Sequence, residues 1–261
     1  MEILIQSTAE RAYTLTAALV AKRLRQKPDL VLGCATGRTM EGVYDELVRL
    51  YKKEKLDFSR CQTFNLDEYV GLPKDDDRSY HAYMREYLFD RVNLKLKNTH
   101  LPDGTAPDLE VEARHYETLI RQAEGIDLQL LGLGETGHIG FNEPLSSLMS
   151  RTREKALTPT TREQNAEFFG GADNVPERAL TMGVGTILEA GEIVMVVTGE
   201  KKADILAKAT EGPITAMISA TALQLHPNCK VIVDEAAAVK LEGQAYYRWV
   251  FENEPEWRAY H

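Results

Sequence analysis

Three short stretches of the chain hold residue types that can do acid–base chemistry or bind an anion. The densest covers residues 132–144, Gly-Leu-Gly-Glu-Thr-Gly-His-Ile-Gly-Phe-Asn-Glu-Pro. Four of its first nine residues are glycine, so the backbone can turn sharply and approach a ligand closely. The loop carries one imidazole, His138. Five residues on stands Glu143, whose carboxylate a folded-back loop brings to the ring, and such a partner fixes an imidazole's tautomer and basicity. The second stretch, 65–73, contains adjacent acids at a strand end. Asp67 and Glu68 cannot both face the same way, and Asp67 is the better candidate to enter a site. The third, 33–40, sets small residues and the hydroxyls of Thr36 and Thr39 at a strand-to-helix turn. There the unpaired N–H groups and the helix dipole favour an anion such as phosphate. It lacks both the Gly-Lys-Ser/Thr of a Walker loop and the three-glycine dinucleotide spacing. Taken singly, each stretch also fits an ordinary turn: a glycine-rich surface loop, a solvated capping acid, a helix start capped by Thr39.

The elements that must position these residues follow a regular alternation. Apolar runs at 3–5, 30–32, 63–66, 128–131, 193–198 and 231–233 are interleaved with amphipathic helical patterns at 9–25, 41–53, 80–89, 109–123 and 201–209. This alternation predicts an α/β chain with a mostly parallel sheet covered by helices on both faces. Ligands of such sheets bind beyond the carboxyl ends of the strands, where all three stretches lie. Lys202 follows the strand at 193–198 and can reach the same anion as the Thr36 turn. Residues 158–178 are polar and turn-rich around a short helix at 161–169, which reads as a lid over a site or as a solvated excursion. Neither repeats nor low-complexity linkers divide the 261 residues.

A net charge of -9 gives no basic footprint for nucleic acid, although a local positive site for a small anion is compatible with it. The start lacks a basic region followed by a long apolar one, and no apolar run approaches the ~20 residues of a membrane span. A cytoplasmic protein is expected. Cys34, Cys61 and Cys229 are odd in number and widely spaced, which suggests neither a disulfide framework nor a zinc site. The aromatic tail from Tyr246 to His261 reads as a docking or subunit-contact element.

Taken together, Leu-Gly-Cys-Ala-Thr-Gly-Arg-Thr at 32–39, Asn-Leu-Asp-Glu-Tyr-Val-Gly-Leu at 65–72, Gly-His-Ile-Gly-Phe-Asn-Glu-Pro at 137–144, Ser-Arg-Thr-Arg at 150–153 and Leu-His-Pro at 225–227 resemble the glucosamine-6-phosphate deaminase (isomerase) family. The resemblance runs in order over nearly the whole chain. It implies a single modified Rossmann-like α/β domain over 1–261, with a lid at about 153–180, that converts glucosamine 6-phosphate to fructose 6-phosphate and ammonia. It implies no cofactor and no metal. On this resemblance Asp67 is the base that moves a proton between carbon 2 and carbon 1, His138 opens the sugar ring, and Glu143 is its carboxylate partner. Thr36, Gly37, Thr39 and Lys202 match positions that hold the phosphate. Ser146, Arg153 and Lys155 match an allosteric site of the hexameric branch, which implies a homo-oligomer, a hexamer in particular.

The departures bear on the same site. Arg38-Thr39-Met40 replaces the usual Gly or Ser followed by Thr-Pro, Thr136 stands where the family has Asp or Asn, and Glu167 stands where it has the lid arginine that reaches the phosphate. Two readings follow. In the first, Arg38 takes over from the lid arginine and pairs with Glu167 or the phosphate, and the usual substrate is kept. In the second, the altered pocket accepts unphosphorylated glucosamine, or fructose plus ammonium. A 6-phosphogluconolactonase-like hydrolase would have no use for a carbon base at Asp67, and a non-catalytic sugar-phosphate sensor would have no use for the retained acids.

Overall fold

In the computed structural model, which describes residues 1–260, strand and helix alternate much as the apolar pattern predicts. β1 (Glu2–Gln6) leads to α1 (Ala9–Gln26), β2 (Val31–Cys34) to α2 (Arg38–Glu54), and β3 (Gln62–Asn65) through β4 (Asp67–Tyr69) to α3 (Tyr80–Tyr87). Then come β5 (Thr99–His100), α4 (Leu109–Gln122), β6 (Leu128–Leu131), β7 (Arg153–Ala156), α5 (Pro159–Phe169) and β8 (Arg178–Thr181). The chain continues with α6 (Val184–Leu188), β9 (Ile193–Val197), α7 (Ala203–Thr210), β10 (Cys229–Asp234), α8 (Glu235–Ala238) and α9 (Gln244–Asn253). Thr8, Ser79 and Asp108 start α1, α3 and α4 by accepting hydrogen bonds from backbone N–H groups two or three residues on. α2 begins differently. Its cap is Gly37, with φ of 107° and no side chain to satisfy the first N–H groups; the helix opens at Arg38, earlier than the expected 41, and Thr39 lies inside the first turn instead of capping it.

Seven strands form one sheet in the order β1-β10-β9-β6-β2-β3-β5, every pair parallel. All residues of β2, β6, β9 and β10 are buried, so both faces of the sheet are covered. From β2 the chain steps outward to β3 and β5; from β6 it steps the other way to β9 and β10. The sheet therefore reverses direction between β2 and β6. A crevice opens beyond the carboxyl ends at such a switch point.

A second sheet, β4-β8-β7, is antiparallel and was not legible in the apolar pattern. It fixes both ends of the stretch expected to be a lid, since β7 and β8 are strands, with α5 and the turn after it between them. Beneath it lies a small apolar cluster of Tyr69, Phe141, Leu157, Phe169, Val175 and Ala179, separate from the main core. The tail is anchored to its own chain in part: Trp257 is fully buried and donates its indole N–H to Glu2, while Tyr246 and Trp249 of α9 stay exposed and stacked. His261 lies outside the described residues. No helix among the described residues is long and apolar enough to cross a membrane.

Candidate active site

Four neighbouring strands, β9, β6, β2 and β3, deliver the predicted residues to one edge of the sheet. Lys202 follows β9, the glycine-rich loop follows β6, the Thr36 turn follows β2, and Asp67 follows β3.

Asp67 is buried and lies opposite Thr181 in the small sheet. Burial, reinforced by the neighbouring Glu68 carboxylate and opposed by a hydrogen bond from Thr181, pushes its carboxyl up to about 8. Glu68 faces the other way, accepting from the backbone N–H groups of Tyr69, Tyr80 and His81 at 2.8, 3.0 and 3.1 Å, and so anchors the start of α3. Gly140, at φ of 54°, passes directly in front of Asp67: a Cβ there would lie 3.4 Å from Oδ2 and 2.9 Å from the Thr181 hydroxyl. The glycine keeps the face of the carboxylate open.

The loop after β6 folds back as its glycines allow. His138 is buried against Gly134, where a Cβ would come within 2.2 Å of Nε2. Its Nδ1 lies 2.8 Å from the Thr136 hydroxyl and 3.5 Å from Glu143 Oε2. The other oxygen of Glu143 accepts from the Thr158 N–H at 3.2 Å, the Thr158 hydroxyl at 3.1 Å and the Thr161 hydroxyl at 2.5 Å. Burial alone would raise this acid. Hydrogen bonds from His138 and Thr161, the His138 charge and the Thr158 N–H outweigh burial and hold it at about 2. Asn142 ties the loop down by donating to the carbonyls of Ile139 and Met182, each at 2.8 Å.

At the other end of the crevice, Thr36 and Thr39 are partly buried around Gly37, whose carbonyl accepts from the Tyr83 hydroxyl at 2.9 Å. Lys202 is partly buried, and its ammonium makes no hydrogen bond or ion pair among the described residues; burial lowers that ammonium's pKa, and Glu135 opposes this. Arg38 pairs with Glu167 of α5 and lies over the Phe168 ring. The trio matched to an allosteric site lies at and before β7. Ser146 is buried with its hydroxyl unpartnered, and Arg153 donates to Asn142 at 2.9 Å, while Lys155 shares Arg153's face of β7.

Thr158, Thr161 and Thr181, which touch the two acids, escaped sequence reasoning. The one available signal was Thr158-Pro159, a cap and first-turn proline that mark the start of α5.

Residues 4–231 match the family model described as glucosamine-6-phosphate isomerases/6-phosphogluconolactonase. The chain is similar to a protein of Arthrobacter sp. (strain FB24) named glucosamine-6-phosphate deaminase, 46% identical over 259 residues that cover 99% of this chain and 100% of that one. Among solved structures it is similar to a glucosamine-6-phosphate deaminase described as monomeric, with a TM-score of 0.91 and 43% identity over 92% of this chain and 100% of the other. A 6-phosphogluconolactonase from Trypanosoma cruzi shares the fold, with a TM-score of 0.73, but only 18% identity over 92% of this chain and 97% of its own. With one family model spanning most of its length and full-length relatives at this identity, the chain belongs to the glucosamine-6-phosphate deaminase family.

Proposed function

We propose that Asp67, His138 and Glu143 carry out this chain's reaction, the conversion of glucosamine 6-phosphate and water to fructose 6-phosphate and ammonia. The observation that carries the reading is Asp67, a buried carboxylate with no basic partner among the described residues, one strand from the sheet's switch point, its face kept open by Gly140. His138, its Nδ1 held between Thr136 and Glu143, exchanges a proton with the ring oxygen and opens the pyranose to the aldehyde. Asp67 then removes the proton from carbon 2 and returns it to carbon 1. The enolamine between these steps becomes a carbon 2 iminium, to which water adds; the carbon–nitrogen bond breaks, ammonia leaves and the ketone remains. Glu143 keeps a negative charge 3.5 Å from the imidazole Nδ1 and holds the ring in place during proton transfer. Thr36, Gly37, Thr39 and Lys202 hold the phosphate through hydroxyls, the uncapped start of α2 and one ammonium. α5 serves as the cover.

The test is ammonia release from glucosamine 6-phosphate, with free glucosamine and 6-phosphogluconolactone as controls. Release with the phosphorylated amino sugar supports the reading, and its absence refutes it. Exposed Tyr246 and Trp249 are the aromatics left for the subunit contact of a hexamer, and light scattering distinguishes that from a single chain. Activation by N-acetylglucosamine 6-phosphate, abolished in Arg153→Ala, tests the effector reading.

A further inference from the structure

Arg38 and Glu167 form the one ion pair between the phosphate turn and the cover among the described residues. Arg38 is the first residue of α2, beside the uncapped N–H groups of the turn, and Glu167 and Phe168 are successive residues of α5. Nη2 of Arg38 donates to Glu167 while the guanidinium lies 5.8 Å from the centre of the Phe168 ring. Both charged side chains are mostly solvent-exposed, at 64% and 71%. An exposed pair of this kind is worth at most a few-fold in an equilibrium, so an incoming anion can displace it. A guanidinium matches phosphate in a two-point fork, and a carboxylate is the side chain that most closely imitates two phosphate oxygens.

We propose that Glu167 is an internal competitor for Arg38: in the empty enzyme its carboxylate occupies the guanidinium that the substrate's phosphate takes when it binds. The inference rests on the reading of the Thr36 turn as the phosphate end of the site. Arg38 is thereby a specificity residue for the phosphorylated sugar, and Glu167 sets how tightly that sugar is held. Substrate affinity carries a built-in penalty equal to the strength of the pair. Neither member of the pair touches Asp67, His138 or Glu143 among the described residues, so the effect is expected on KM and not on kcat, and only for phosphorylated ligands.

Arg38→Gln, Glu167→Gln and the double variant are compared for binding of inorganic phosphate and fructose 6-phosphate by calorimetry, and for KM and kcat in ammonia release. The expected results are phosphate and substrate affinity weakened about tenfold or more in Arg38→Gln, through loss of a two-point charged contact. Glu167→Gln should tighten both by about threefold with kcat unchanged, on the scale of one exposed pair. Its gain should shrink when Arg38 is already gone. Unchanged phosphate affinity in Arg38→Gln, or weaker affinity in Glu167→Gln, overturns the proposal. The calorimetry needs no turnover, so an enzyme that binds phosphate as described but releases no ammonia breaks the reaction assignment and leaves the competition intact.

Discussion

Two buried carboxylates share one crevice, and their surroundings push them in opposite directions. Asp67 sits at the junction of the two sheets with a hydroxyl and another acid for company, and its carboxyl rises to about 8. Glu143 sits at the end of the glycine-rich loop among an imidazole, two threonine hydroxyls and a backbone N–H, and falls to about 2. Burial raises both; what differs is the number of donors each receives and the sign of the charge beside it. A carboxyl held near neutrality can give and take a proton during one turnover, whereas one held at about 2 stays a fixed charge. The contrast fits the proposed roles, proton transfer at Asp67 and electrostatic support at Glu143.

The comparison can be broken most severely at Asp67. Asp67→Asn should lower kcat by ~10³-fold, the scale of a lost general base, while fructose 6-phosphate still binds in calorimetry. Glu143→Gln should be milder: His138 keeps its Thr136 contact, and kcat in the ammonia assay should fall by ~10²-fold. Thr161→Ala removes one donor to that charge and should cost about tenfold, a hydrogen bond to an ionised group being worth ~1.5–3 kcal/mol.

The same pair predicts opposite slopes of stability with pH. Asp67 is raised above its ordinary 3.8, so its protonated folded form contributes stability in full below 3.8 that is lost as pH rises through about 8. Glu143 is lowered from its ordinary 4.5, so its contribution is present above 4.5 and lost as pH falls toward 2. In thermal melts, Asp67→Asn should therefore gain more over the parent at pH 9 than at pH 5. Equal gains at both would contradict the buried-acid account. The smallest change sharpens the contrast. Thr181→Val removes the hydrogen bond that restrains Asp67 and should move the rising limb of kcat/KM to higher pH.

Six of the seven strands of the main sheet, all but the two-residue β5, could be read from the sequence, and the loops with them because each candidate stretch directly follows an apolar strand. Asp67, His138 and Glu143 stood out because each belongs to an unusual local run. The small sheet did not stand out. β4 is three residues long and β7 reads Arg-Glu-Lys-Ala, so neither carries a burial period, and their pairing is set by contacts distant in the chain. Thr158, Thr161 and Thr181 were invisible for a related reason: a threonine's type says nothing of which acid it will meet, and that is decided when α5 and β8 fold back over the loop. Lys202 and Thr36 read as one anion site from two separate turns, and the pairing of Arg38 with Glu167 was already an expectation of the sequence; what needed three dimensions was its setting, with the Phe168 ring beside the guanidinium.

The account rests on Asp67 as the carbon base, and isotope exchange tests this without requiring ammonia to leave. Fructose 6-phosphate, ammonium and enzyme in deuterium oxide are followed by proton NMR at carbon 1 across pH 6 to 10. The account predicts deuterium entry at carbon 1 that rises with pH to a plateau above about 8 in the parent enzyme and is absent in Asp67→Asn. Exchange in Asp67→Asn at the parent's rate would contradict it.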